Sequence, residues 1–353
     1  MRAMRLRTLL VTGAVIALAG AGASRTAAPP VSPGLIGQVA WSADGRQILF
    51  DGFDDSASAN SIYAVDSDGS HLRRLTSTRG GADSEDPVVS PNGRSVAFVS
   101  DRNGHVQGFQ IFVMNLDGGH QHSLTPEPKV LMGEGRYSNL DPTWSPDGQR
   151  IAFTRIDRGD SGVSDEIWMM NATGGHKHRV TGPGYHASPR DQPDWSPDGR
   201  QILFQFGTTM AACATLEIAV IAADGSGERI LTNNGVCDYV GPWSPDGRQI
   251  AFTSDRAGAS EVYVMSPDGS GQRRLTHGGG TAPAWSPDGH TIAYAGGHGG
   301  IYLIDVGGTH QRRLTRIGEH PAWSPDGRKI AYTHEETLHV IDADGHNPRV
   351  IVR

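Results

Sequence analysis

The residues with chemical potential in this chain are acids and histidines. Asp86, Asp141, Asp191, Asp238 and Glu319 each stand three to five positions ahead of a recurring aromatic turn motif, and His320 adjoins the last of them. Carboxylates and an imidazole gathered at one mouth would suit a cation or a polar ligand. The plainer alternative is that each acid caps a neighbouring backbone turn, as Asp does in loops. Of the fifteen histidines, His105, His186, His277, His298, His320 and His334 fall in connections of one face, where they could converge near the channel. His71, His120, His122, His176, His178, His310 and His346 recur near one hairpin of successive repeats, spread too widely to share an ion. His334-Glu335-Glu336-Thr337-Leu338-His339 is one residue too long for a zinc-protease motif, and a hairpin rather than a helix is expected there. No Gly-x-Ser-x-Gly, phosphate-loop or Cys-x-x-Cys pattern is present, so no motif supports hydrolase, nucleotide or redox chemistry. No catalytic residue is assigned.

What must position these residues is a repeat. Trp-Ser-Pro-Asp-Gly stands at Trp144–Gly148, Trp195–Gly199, Trp243–Gly247, Trp285–Gly289 and Trp323–Gly327, with near copies at Trp41–Gly45 and Val89–Gly93. Successive copies are 38 to 55 residues apart, and a fixed aromatic and turn signature at that period marks a propeller blade. Proline suits the second turn position and glycine the left-handed position that closes the hairpin. Apolar runs follow at each copy, such as Ile250-Ala251-Phe252 and then Val262-Tyr263-Val264-Met265, as expected of strands covered on both faces. A polar strand ending in Leu-Thr completes the unit, its arginines charging an outer edge. The reading is an all-β fold: a seven-bladed β-propeller of four-stranded antiparallel blades, one repeat per blade, over residues 36–353. A six-bladed ring is the alternative. The chain starts on a first strand and ends on a fourth, so blades one and seven should close by side-chain packing. The Asp-Gly hairpins share one face. The opposite face carries the variable connections, the longest being Pro126–Asp141, Gln205–Thr215, Ile156–Ser164 and Ser77–Asp86, and binding is expected there.

The unit Pro-x-Trp-Ser-Pro-Asp-Gly-Arg-x-Ile-Ala-Phe-Thr, with its later Ile-Tyr-Val-Met and Arg-Arg-Leu-Thr, resembles the WD-like repeat of TolB-like β-propellers. The resemblance spans about residues 36–353 and implies an exported ring used as a protein-binding platform. TolB itself joins a six-bladed propeller to an α/β domain, so seven repeats point to a stand-alone propeller of the same class. Similar seven-bladed propellers include oligogalacturonate lyases, which hold a divalent metal with histidines at the channel mouth. That resemblance implies the alternative function, a metal-dependent polysaccharide lyase using His186, His320 and His334.

The amino terminus sets the expected compartment. Arg2, Arg5 and Arg7 precede an apolar run from Leu9 to Ala21, and Ala21-Gly22-Ala23 offers a small-residue cleavage site. Residues 1–23 therefore read as a secretory signal peptide, the run being short of the ~20 residues a spanning helix needs. Residues 24–35 read as a flexible lead-in. Removing the signal takes the formal charge from −7 to −10, which gives no electrostatic case for nucleic acid. The expected partner is a protein or a cell-envelope component, and the expected state a monomer without a transmembrane span. No cofactor is expected beyond the divalent cation of the alternative. In an oxidising compartment Cys213 and Cys237, placed on one face by the topology, are expected to form a disulfide.

Overall fold

A computed structural model describes residues 33–54, 57–78, 81–102, 108–126, 137–159, 162–182, 190–207 and 215–353. Among them lie seven four-stranded antiparallel sheets, and no helix. Blade one runs from Ile36 to Arg74, blade two from Ser84 to Ser123, blade three from Tyr137 to Arg179 and blade four from Arg190 to Ile230. Blade five runs from Asp238 to Arg274, blade six from Gly280 to Arg313 and blade seven from Glu319 to Val352. In every sheet the strands lie side by side in chain order, so each repeat is a whole blade. First strands touch in five of the seven adjacent pairs, blades four and five and blades five and six meeting through other strands, and the first strand of blade one meets the first two strands of blade seven. First strands therefore form the inner edge of a closed seven-bladed ring. Among the described residues no helix is long and apolar enough to cross a membrane.

The core is divided into seven seams, one between each pair of neighbouring blades. Phe50, Phe98, Phe153, Phe204, Phe252 and Tyr294 on the second strands are fully buried. Burial of one such side chain is worth roughly 1.5–3 kcal/mol, so the seams, rather than the hydrogen bonds of any one blade, hold the ring. The repeated tryptophans also wire blade to blade. Trp144 Nε1 donates to Val88 O at 3.1 Å, Trp285 to Pro242 O at 3.1 Å and Trp323 to Ala284 O at 3.1 Å. Trp41 donates to Ala322 O at 3.0 Å, so the bond that joins blade one to blade seven is the same as those within the chain. Trp195 and Trp243 break this series: both Nε1 atoms are buried without a partner.

The turn motif works as its residues dictate. In six copies the Ser Oγ donates to the Asp Oδ1 at 2.5–2.7 Å, and Ser90 reaches Asn92 at 2.8 Å. The closing glycines have φ between 66° and 72°, a conformation that costs glycine nothing. The terminal Leu-Thr of the repeat has an equally direct cause. The Thr76, Thr125, Thr232 and Thr276 Oγ1 atoms each accept, at 2.9 Å, the backbone N–H near the start of their own third strand. A side chain thereby replaces ladder acceptors, and the fourth strands of blades one to six shrink to two residues, such as Arg73–Arg74.

Two expectations are corrected. Ile156–Ser164 is not a loop, because the strands Arg150–Gly159 and Gly162–Asn171 stay paired out to Gly159↔Gly162. First strands also begin earlier than the tryptophan motif suggests, as in Tyr137–Trp144 and Ser84–Val89. The expected acidic residues thus lie inside first strands rather than ahead of them.

Candidate functional site

Six of the seven first strands change register a few residues before their motif, at Glu85/Val88, Asp191/Asp194, Thr281/Ala284 and Glu319/Ala322 and at the matching places in blades one and three. The residue three before the tryptophan sits in this bulge. Five of the seven, Asp86, Asp141, Gln192, Ala282 and His320, have φ between 48° and 53°. All five precede a proline, and the other two, Gln38 and Val240, do not. Proline has no N–H to give the ladder, so pairing breaks there and the chain bulges. The result is a ring of side chains turned out of the regular pleat along the inner edge.

The six expected mouth residues do not share one position. Asp86, Asp141 and His320 occupy the bulge, Asp191 and Glu319 precede it by one residue, and Asp238 by two. Asp141 Oδ2 accepts Thr154 Oγ1 at 3.1 Å, and Thr154 Oγ1 accepts the Gln192 N–H of the next blade at 3.2 Å. Asp238 is fully buried and its Oδ2 takes Arg256 Nη2 at 2.7 Å and Asn234 Nδ2 at 2.6 Å. Both acids therefore bond to side chains of their own surroundings. Glu319 and His320 are exposed.

Blades six and seven, by contrast, open a cleft of about 250 Å³ between their bulges, lined by Ala282, Arg316, Glu319, His320, His334 and several glycines. Short glycine connections make the space. A Cβ on Gly300 would lie 2.2 Å from Thr315 O, so only glycine lets the chain pass there. His320 and His334 are thus brought together with Glu319. His186 and Cys213 lie outside the described residues. Among the described residues no three His, Cys, Asp or Glu side chains group as metal ligands. Cys237 is half-buried and its carbonyl accepts Asp255 N–H at 3.0 Å. His334 ends one strand and Thr337 opens the next, which bears out the hairpin reading of that stretch.

A larger hollow, about 730 Å³, lies between the same blades on the hairpin face, but its polar groups are already engaged. His310 Nδ1 meets Asp305 Oδ2 at 2.6 Å, and Ser286 holds Asp288. His71, His120, His176 and His310 all sit at one left-handed turn position, with φ of 52–56°, so their recurrence is a feature of the turn.

Two sets of acids were not anticipated. Asp194 stands one residue before Trp195, where the other blades have Ala40, Val88, Thr143, Pro242, Ala284 and Ala322. Burial raises its pKa to about 6, opposed by the backbone N–H groups of Trp243 and Trp195. That column of small or apolar residues was the available signal. Glu166, Glu217 and Glu261 hold one equivalent position in the third strands of blades three, four and five, and all are buried. Their column holds Ser61, Gln110, Gly300 and Thr337 elsewhere, so alignment of the repeats alone would have exposed them.

Fold and repeat together define the class: a seven-bladed β-propeller whose repeats are similar to those of TolB-like propellers. Residues 129–300 match the family model described as the TolB beta propeller domain. Over 164 residues the chain is 29% identical to the Bacillus subtilis protein named uncharacterized peptidase YuxL, a match over 37% of this chain and 23% of that protein. The chain thus spans about a quarter of the length of that relative. Among solved structures, an oligogalacturonate lyase in complex with manganese superposes with a TM-score of 0.66 at 17% identity, covering 86% of each chain. A puromycin-hydrolyzing peptidase of Mycobacterium tuberculosis gives 0.69 at 16% identity, over 92% of this chain and 56% of that one. At such identities these likenesses establish the fold alone.

Proposed function

We propose that the protein is an exported, non-catalytic propeller that binds a protein or cell-envelope component through its loop face, anchored at the cleft between blades six and seven. The observation that carries this reading is the cleft itself. On the loop face it brings Arg316, which has no ion-pair partner among the described residues, beside two imidazoles, a carboxylate and glycine-lined walls. Charged tips over backbone-exposing glycines suit a polar or anionic surface group of a partner. The signal peptide reading of residues 1–23 supplies the route out of the cell. A Cys213–Cys237 disulfide would then pin the connection after Gly207, closing a loop worth roughly 3 kcal/mol in the chain-entropy model.

Capture from envelope extract tests the proposal. Arg316→Ala with His320→Ala should lose partners that the parent chain retains. An unchanged partner profile would sink the loop-face assignment.

The convergence of His320 and His334 with Glu319 keeps a second reading in view, a metal-dependent polysaccharide lyase. His320 and His334 would hold the divalent cation together with His186, which lies outside the described residues, and the cation would supply charge stabilisation to an acidic sugar. Elemental analysis of untagged protein separates the two readings, since a stoichiometric transition metal would favour the lyase.

A further inference from the structure

Blade four departs from a pattern that its neighbours keep. In blade three, Glu166 is satisfied by Arg179 Nη1 at 3.2 Å on Oε1 and by Trp168 Nε1 at 3.0 Å on Oε2. In blade five, Glu261 takes Arg274 Nη2 and Thr276 Oγ1, each at 2.5 Å, with the N–H groups of Gly278 and Gly279 at 2.9 and 3.1 Å. Strand register places those arginines, pairing Arg179 with Trp168 and Arg274 with Tyr263. The same register in blade four pairs Ile230 with Ala219. The arginine and the aromatic are both missing, and Ile230 is left 47% exposed.

Glu217 is 1% exposed. Its Oε1 keeps the Asn234 N–H at 3.3 Å, the counterpart of the Gly278 bond to Glu261, and its Oε2 has no partner. Asp238, at 0% exposure, also has an unpartnered oxygen, Oδ1. Asn234 holds both residues, its N–H on one carboxylate and its Nδ2 on the other. Gln205 Nε2 ties their backbone carbonyls together at 2.7 and 2.8 Å. Two carboxylates against the single Arg256 leave one uncompensated negative charge out of contact with bulk water, which a fold tolerates poorly.

We propose that Glu217 Oε2 and Asp238 Oδ1 are ligands of a hard cation of the calcium class, bound at the seam of blades four and five and completed by water. Oxygen-only donors select such an ion over zinc or copper. The role is structural, a cation doing for Glu217 what arginine does for Glu166 and Glu261, and it is independent of the cleft between blades six and seven.

The test uses full-length protein freed of metal by chelation and dialysed, then titrated calorimetrically with calcium, magnesium or sodium at constant ionic strength. Calcium should bind once per chain and raise the melting midpoint by about 3 °C at a hundredfold excess over Kd. A shift with magnesium or sodium instead would support the same site with a different hard ion. Glu217→Gln should abolish binding. Ile230→Arg supplies the missing guanidinium, so it should raise the midpoint of the ion-free protein and remove the ion's effect. Absence of binding by all three ions overturns the proposal, as does an equal ion-induced shift in Ile230→Arg and the parent chain.

Discussion

The two faces of the ring solve the same problem in opposite ways. On the hairpin face the motif aspartates are satisfied within their own turns. Asp44, Asp147, Asp198, Asp246, Asp288 and Asp326 each accept a hydroxyl from the serine two residues earlier, and that bond holds their carboxyls below the usual aspartate range. On the loop face the acids are satisfied across strands and connections, each differently. Asp141 leans on Thr154, Asp238 on Arg256, Glu261 on four donors. Asp194 is pushed the other way, up to about 6. A face of self-contained turns can be copied seven times, whereas a face wired from strand to strand can change one blade at a time. Specificity is therefore expected to reside on the second.

Substitutions can break or sharpen that contrast. The largest effect should come from Glu261→Ala, which strands Arg274 and two glycine N–H groups at a buried position. Loss of about 3–5 kcal/mol is expected, read as the midpoint of urea unfolding.

Asp194→Asn should act next, and with a pH signature. Its folded pKa, about 6, lies above the ordinary value near 3.9. Its contribution is therefore fully present below pH ~4 and lost as pH rises through ~6. Asparagine mimics the neutral acid, so the variant should gain on the parent chain by on the order of 2 kcal/mol between pH 4 and 7.5. A stability difference flat in pH would contradict the burial of that carboxyl.

On the hairpin face Asp246→Ala should cost about 1 kcal/mol and Asp246→Asn close to nothing, since Asn92 already serves in blade two. Thermal unfolding of the pair checks this. The smallest effect on stability, within about 0.5 kcal/mol, is expected for Arg316→Ala with His320→Ala, whose exposed side chains line the cleft. Equal losses of stability from the two faces would erase the contrast.

The architecture was legible because a turn motif reports on itself. Ser, Asp and Gly at fixed offsets determine the hairpin without help from distant residues, and Trp with the apolar runs determines the seams. The bulges were half legible. Pro87, Pro142, Pro193, Pro283 and Pro321 mark them in the sequence, yet the acids nearby looked like one column when they occupy three. Glu217 and Asp194 were invisible to motif reading, because a buried carboxylate is defined by what other strands place opposite it. The cleft of blades six and seven was foreshadowed only by its histidines. Its shape depends on how little glycine occupies, which no side-chain pattern announces.

The tryptophan bonds that run round the ring have a mechanical reading. Four of them link blades one to seven, three to two, six to five and seven to six. The two that would clasp blade four on either side, from Trp195 and Trp243, are unmade. The seam of blades one and two has no such bond either, since Val89 replaces the tryptophan there; a closed hoop under strain parts at its weakest rivets, and blade four lacks them on both sides. Opening of the ring would then begin at blade four, far from the joint between the two ends of the chain.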